Sequence, residues 1–189
     1  MIRLNLPELI ETRRLLIQRL RYEDAEEIFN SYASKPEATR YLSWATHQTI
    51  DDTYAFLRYA REGWMWGTDY SFSIRLRENN QFIGSFGVIN DKGKLQFGYV
   101  ISPAKWGNGF ATEAVTHMMA VLKDQREVFR IGTFVDAEHQ ASQKVLKRAG
   151  LIEEARLEKW YRFVNQGNQP KDCILFRFPL EQAAISPAV

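Results

Sequence analysis

Gly107 and Gly109 stand one residue apart, directly ahead of a helical pattern in which Ala111, Ala114, Val115, Met118 and Leu122 recur along one face. That arrangement has the chemistry of an anion site. The first turn of a helix leaves N–H groups without intrahelical partners, and the macrodipole places about half a positive charge there. Glycines let the backbone adopt φ > 0 and approach a ligand closely, and a pyrophosphate is the natural guest. Upstream, Leu95 to Ile101 reads as a strand closed by Ser102-Pro103, because proline cannot continue a ladder. The run is neither G-x-G-x-x-G nor G-x-x-x-x-G-K-[ST], so both standard nucleotide fingerprints are absent. By spacing alone, a tight strand-to-helix turn that binds nothing accounts for it equally well.

The elements that must hold this turn can be read along the chain. Arg13 to Leu20 reads as a first strand, followed by a helix with Ala25, Ile28, Phe29 and Tyr32 on one face, ended by Lys35-Pro36. Thr39 to Thr46 is a polar and aromatic connection. A second helix opens at Thr49, carries Tyr54, Phe56, Leu57, Tyr59 and Ala60, and is expected to stop at Gly63, leaving 63–67 as an aromatic loop. Tyr70 to Leu76, Phe82 to Ile89 and Leu95 to Ile101 follow as strands joined by turns at Glu78-Asn79-Asn80 and Asp91 to Lys94, hence antiparallel. The helix Phe110 to Lys123 crosses over to the strand Arg130 to Val135, which is therefore parallel to the Leu95 strand. A helix over about Glu138 to Ala149 turns Ala141, Val145, Leu146 and Ala149 inward, with Gly150 as its left-handed stop, and strands over Glu154 to Val164 and Cys173 to Phe178 complete the chain. The expectation is one α/β (α+β) domain over about 10–180, with 1–9 and 181–189 as terminal extensions. Its sheet is mixed and mostly antiparallel, with about seven strands, one central parallel pair and about four flanking helices.

Two segments carry a family resemblance. Trp106-Gly-Asn-Gly-Phe-Ala-Thr-Glu-Ala114 resembles the acetyl-CoA pyrophosphate loop of the GNAT N-acetyltransferases, whose core pattern is Gln/Arg-x-x-Gly-x-Gly/Ala. Gly109 and Ala111 fit, and Trp106 stands where Gln or Arg is usual. Val135 to Leu151 resembles the segment Asn-x-x-Ser-x-x-x-x-x-x-x-Gly-Phe of the RimJ/RimL-type branch, with Ser142 and Gly150 matching, His139 in place of Asn and Leu151 in place of Phe. Glu11 to Ile17 is similar to that branch's first strand. The resemblance spans about Glu11 to Phe178. It implies the GNAT fold, in which the central parallel strands splay into a V that admits the pantetheine arm of acetyl-CoA. Buried backbone groups left alone are costly, and the pantetheine amides supply partners as a surrogate strand. It also implies Tyr99, Val100 and Ile101 as partners for that arm, and Lys105, Trp106, Gly107, Asn108, Gly109, Phe110, Ala111 and Thr112 around the pyrophosphate. His139 is expected to support the cofactor side. Lys144, Lys147 and Arg148 are further phosphate candidates, although a solvated helix face explains the last two better.

The implied reaction is direct attack of an amine on the thioester carbonyl. A backbone N–H near Val100 or Ile101 is the expected oxyanion donor. Ser142 is the expected proton donor to the departing thiolate; a serine bonded to its own helix is the plainer reading. Tyr161, Glu153 and Glu154 are the nearest candidates for a base, with Tyr161 preferred, although surface or core roles suit all three. An α-amine with pKa near 7.8 is about 14% neutral at pH 7 and lysine about 0.04%, so the lack of an obvious base favours a low-pKa amine. Tyr41, Trp44, Trp64 and Trp66 occupy the region that forms the acceptor wall in relatives, and core packing is expected for about half of them.

The totals fit this reading. Across 189 residues, 45% hydrophobic and 25% charged content are ordinary for a globular protein, and a net charge of +2 is too mild to argue for nucleic acid. The single cysteine, Cys173, excludes an internal disulfide and suits a reducing compartment. His47, His117 and His139 lack metal-ligand spacing. No leader-like or membrane-length apolar run is visible, which gives an expectation of a cytoplasmic monomer or homodimer. The leading function is an acetyl-CoA-dependent N-acetyltransferase, with a protein N-terminus as one candidate acceptor. An idle acyl-CoA-binding module and a small-molecule amine acetyltransferase are the alternatives.

Overall fold

A computed structural model describes residues 2–180; the expected C-terminal extension lies outside the described residues. The strands are β1 (Leu9–Glu11), β2 (Leu15–Arg19), β3 (Asp69–Leu76), β4 (Phe82–Asp91), β5 (Lys94–Ile101), β6 (Arg130–Asp136), β7 (Ile152–Arg162) and β8 (Pro170–Arg177). They form one sheet in the order β1-β2-β3-β4-β5-β6-β8-β7. Every neighbouring pair is antiparallel except β5 and β6. The helices are α1 (Ala25–Ile28, continued by a π turn over Phe29–Ala33), α2 (Pro36–Thr39), α3 (Ile50–Trp66), α4 (Phe110–Lys123) and α5 (Gln140–Arg148). The GNAT fold expected from the sequence is present, with eight strands and five helices among the described residues rather than about seven and about four. β1 is three residues long and α2 is one turn behind Pro36, too short to show a period.

Both faces of the central strands are covered, so β3 is buried along its whole length. Its even residues, Tyr70, Phe72, Ile74 and Leu76, join the main core with Val115, Met118 and Leu122 of α4. Its odd residues face the layer of α1 and α3, where Ala25, Ile28, Tyr32, Leu57 and Phe82 form a smaller cluster. A bulge in β4 opposite Ile74 and Arg75 brings Gly84 against β5. A Cβ on Gly84 would lie 2.2 Å from the Val100 carbonyl oxygen, so only glycine fits. β5 then runs clear of β6.

Several boundaries differ from the sequence reading. Gly63 does not stop α3; the helix continues through Trp64 and Trp66 to Gly67, whose φ of 74° makes the stop. Gly63 is glycine because β3 passes close beneath it: a Cβ there would sit 2.5 Å from Asp69 Cβ. α5 begins at Gln140, leaving His139 at its cap, and Ala141 is exposed rather than inward. β7 is shifted two residues toward the N-terminus at the same length, and β8 starts three residues early, the two pairing with each other.

One buried charge cluster fixes α1 to the sheet. Arg75 donates to Asp24 at 2.8 Å and is also paired with Glu27, while its Nε has no partner among the described residues. Removing the guanidinium strands the Asp24 carboxylate out of water. Arg75→Ala is therefore expected to cost about 3–5 kcal/mol in urea unfolding.

Candidate functional site

β5 and β6 pair only at Lys94↔Arg130, Leu95↔Ile131 and Gln96↔Gly132. Beyond Gln96 the two strands part, β6 staying with β8 and β5 staying with β4. The edge of β5 from Phe97 to Ile101 thus presents peptide groups to a wedge, with no backbone partner on that side among the described residues. A cavity of about 500 Å³ opens from this wedge and crosses to the α1/α3 face of the sheet. Tyr99, Val100, Val135, His139 and Ser142 line the wedge, and Tyr41, Trp44, Phe56, Asp69 and Ser71 are among the residues lining the other side.

At the outer end of the wedge, Pro103–Lys105 makes a single 3-10 turn, Gly107 and Gly109 take φ of 77° and 76°, and Gly109 caps α4 without any side-chain bond. The N–H groups of Gly107 to Thr112 donate to no backbone carbonyl or side chain among the described residues. Trp106, which occupies the usual Gln/Arg position, donates its indole N–H to the Ile101 carbonyl at 2.7 Å and ties the loop to the end of β5. The Asn108 amide is turned inward onto the Lys105 and Trp106 carbonyls. Lys105 is half-buried at the same turn, and Phe110, Ala111 and Thr112 open the helix.

Arg14 and Glu113 were not visible as site residues in the sequence. Glu113 accepts from the Thr12 hydroxyl (2.6 Å), the Arg14 backbone N–H (2.8 Å) and Arg14 Nε (2.6 Å), which hold its carboxyl below the usual carboxylate range despite burial. Arg14 also donates to the Asn108 carbonyl at 3.0 Å and lies over the Phe110 ring. The acid in the first turn of α4 is thus paired with the arginine just ahead of β2. Sequence spacing alone could not bring residues 99 apart together.

In the wedge, the Tyr99 and Ser142 hydroxyls are 2.9 Å apart. Burial pushes the Tyr99 phenol up to about 12, partly offset by Ser142, so both groups remain O–H donors at neutral pH. Tyr99 was expected only through its backbone; the fold adds its side chain. Burial pulls His139 down to about 4, with Asp136 opposing, and its ring stacks on Tyr41 at 4.1 Å. A neutral His139 has a stability consequence. Its folded pKa lies below the unfolded 6.5, so between pH 6.5 and about 4 the unfolded chain binds the extra proton and stability falls with pH. His139→Asn is expected to flatten that window by roughly 2–3 kcal/mol in pH-dependent chemical denaturation.

Other candidates move out of the site. Tyr161 packs against Phe134 and Phe163, its hydroxyl 3.5 Å from the Ser43 carbonyl, and does not line the cavity. Glu153 pairs with Lys147, and Glu154 with Arg130 and Arg177, which occupies these acids elsewhere. Lys147 is thereby taken from the phosphate candidates. Trp64 packs edge-on to Tyr70 and Phe72 with its N–H on the Ser71 carbonyl, so it belongs to packing. Trp66 is exposed at the end of α3, away from the cavity lining. Tyr41 and Trp44 do line it. Cys173 is fully buried and its thiol is pushed up to about 11, chiefly by burial, which leaves it unreactive. Among the described residues no three His, Cys, Asp or Glu side chains gather as a metal ligand set. No described helix is long and apolar enough to cross a membrane.

Residues 14–152, which hold the wedge, the glycine turn and Ser142, match the acetyltransferase (GNAT) domain family. The chain belongs to that family. This GNAT domain is 28% identical over 173 residues to the uncharacterized N-acetyltransferase YoaA of Bacillus subtilis (strain 168), covering 87% of this chain and 92% of the relative. Among solved structures it superposes on RimJ of Mycobacterium smegmatis with a TM-score of 0.82 at 17% identity, over 94% of this chain and 90% of that one. It superposes on spermidine N-acetyltransferase of Vibrio cholerae with a TM-score of 0.75 at 16% identity, over 89% and 97%. At such identities these two structures speak for the fold. The GNAT domain is accordingly an N-acetyltransferase by family.

Proposed function

We propose that this GNAT domain moves an acetyl group from acetyl-CoA to a primary amine by direct attack, with Ser142 and Tyr99 as the proton-donating pair. The observation that carries the reading is the hydroxyl pair at 2.9 Å, set where β5 leaves β6 and one strand length from a helix entrance with free N–H groups. The wedge offers the peptide edge of Phe97 to Ile101 to the pantetheine amides, and the turn Gly107 to Thr112 offers its N–H groups to the diphosphate. The amine nitrogen forms the new C–N bond and the C–S bond breaks with its electron pair going to sulfur. Ser142 O–H supplies the proton to that sulfur and is re-supplied through Tyr99. The amine's surplus proton leaves to solvent.

No strong base faces the thioester side. His139 is too weakly basic, and Tyr161, Glu153 and Glu154 lie elsewhere. The amine therefore arrives already neutral, which favours a low-pKa acceptor. With any acceptor that must arrive neutral, kcat/KM is expected to rise with pH and level off near the amine's own pKa, about 8 for an α-amine and above 10 for an alkylamine. Thiol release measured from acetyl-CoA with an amine panel tests the activity. Binding of acetyl-CoA with turnover no faster than background would instead mark an idle binding module. Arg14→Ala loosens the turn and exposes Glu113, so acetyl-CoA affinity by calorimetric titration is expected to fall about tenfold or more.

A further inference from the structure

The α1/α3 side of the cavity holds a group the reaction above does not use. Asp69 opens β3 and is 7% exposed, yet it lines the cavity. Its Oδ1 accepts from the Ser71 hydroxyl at 2.7 Å, and Oδ2 has no hydrogen-bond partner among the described residues. Burial raises its pKa, with Ser71 offsetting part of the effect. α3 packs directly on this residue: a Cβ on Gly63, inside the helix, would sit 2.5 Å from Asp69 Cβ and 3.1 Å from the Asp69 carbonyl oxygen. A mid-helix glycine costs roughly 0.5–1 kcal/mol relative to alanine, so its place there has to be justified by what it accommodates.

The rest of the cavity tells what Asp69 would meet. Among the described residues no Lys or Arg lines it, and both lining histidines, His47 and His139, are held neutral by burial. Asp69 is thus its one carboxylate among apolar and aromatic walls. Between Asp69 and the wedge, the floor is bare backbone. Ser71, Gly87 and Gly98 stand in one cross-strand row; a Cβ on Gly98 would meet nothing within 4 Å, and one on Gly87 only Ser71 Oγ at 3.9 Å. Two facing glycines weaken a sheet, and here they leave a groove that a linear chain can occupy.

We propose that Asp69 and Ser71 bind a second cationic group of the acceptor, the substrate being an amine whose nucleophilic nitrogen and second basic group are separated by an apolar span on the order of 10 Å. The span follows from the sheet: Asp69 lies two strands across and two residues along from Gly98, roughly 12 Å between backbones before the side chain reaches inward. The same distance rules Asp69 out as the base for the attacking amine. A desolvated carboxylate gains from one neighbouring cation, and one carboxylate suits one cation rather than a polycation. A small apolar diamine and a peptide with a basic side chain next to its N-terminus both have this chemistry. The inference rests on the acetyl-transfer reading.

The test compares wild type with Asp69→Asn and Ser71→Ala, each checked by thermal melting. Thiol release from acetyl-CoA is followed with diaminohexane and diaminooctane against hexylamine and octylamine, and with a tripeptide carrying lysine at its second position against the same peptide with norleucine there. The wild type is expected to favour the dicationic member, and Asp69→Asn to reduce that preference about ten- to a hundredfold, mainly through KM. Which series shows the effect identifies the source. Equal losses on mono- and dicationic acceptors, or no preference in the wild type, overturn the subsite. Calorimetric titration of the diamines into the CoA-bound protein separates the two readings. Binding lost in Asp69→Asn without any turnover keeps the subsite and sinks acetyl transfer. Turnover without Asp69-dependent preference does the reverse, and neither binding nor turnover overturns both.

Discussion

Gly98→Val is expected to give a protein that melts no lower than the wild type and yet has lost acceptor turnover by about a hundredfold. Gly98 lies in the middle of β5, paired to Gly87, with nothing within 4 Å of the place a Cβ would occupy. The Cβ of a valine there meets no neighbour, and the change gains strand propensity and removes the backbone freedom of glycine from the unfolded chain. That stabilises by roughly 0.5–1 kcal/mol, a rise of about 1–4 °C for a chain of this size. The same isopropyl group fills the floor of the cavity and pushes the acceptor off its path, and misplacement by 1 Å alone can cost about a hundredfold. Scanning calorimetry and thiol release from acetyl-CoA read the two effects separately. Unchanged turnover would show that the acceptor does not cross this row.

Ser142→Ala and Tyr99→Phe form the second pair of expectations. Each removes one member of a 2.9 Å hydroxyl contact in the wedge without adding bulk. General acid help is worth about 10²–10⁴-fold, and a thiolate with pKa near 8.5 is a good leaving group, so a loss of kcat near the lower end is expected for Ser142→Ala. Tyr99→Phe should cost less, because in the proposed relay it acts on the sulfur only through Ser142. The double variant is expected to be no slower than Ser142→Ala, since groups acting as one relay are not additive. KM for acetyl-CoA should stay nearly constant in all three if, as proposed, the wedge and the turn hold the cofactor by backbone groups. Additive losses in the cycle would mean the two hydroxyls act separately.

These expectations draw on different levels of the molecule. The glycine turn, the strand before it, the crossover helix and Ser142 were legible in the chain itself. Their signals are local: glycine at positions needing φ > 0, proline ending a ladder, apolar residues at helical spacing. Loop-length rules then fixed which strands run parallel, and so the place where the sheet opens. Gly63 shows where local signals fail. A glycine near a helix end reads as a stop, but this one answers to Asp69 on the next strand, and the helix runs on to Gly67.

By itself, then, the sequence determined the order of elements, the family and the backbone that can receive a thioester carrier, because each depends on residues close together along the chain. Only the tertiary structure decided which side chains face the cavity and which charges are already occupied. Tyr161 was expected near the site from its strand, and Trp64 and Trp66 from the resemblance to relatives; register and the length of α3 place all three outside the cavity lining. Arg14 reaches Glu113, Tyr99 reaches Ser142, and Asp69 comes to lie beside the Gly87–Gly98 row only when the strands pair. Shifting a strand by one residue turns every side chain to the opposite face, so no reading of residue type can replace the register that folding imposes.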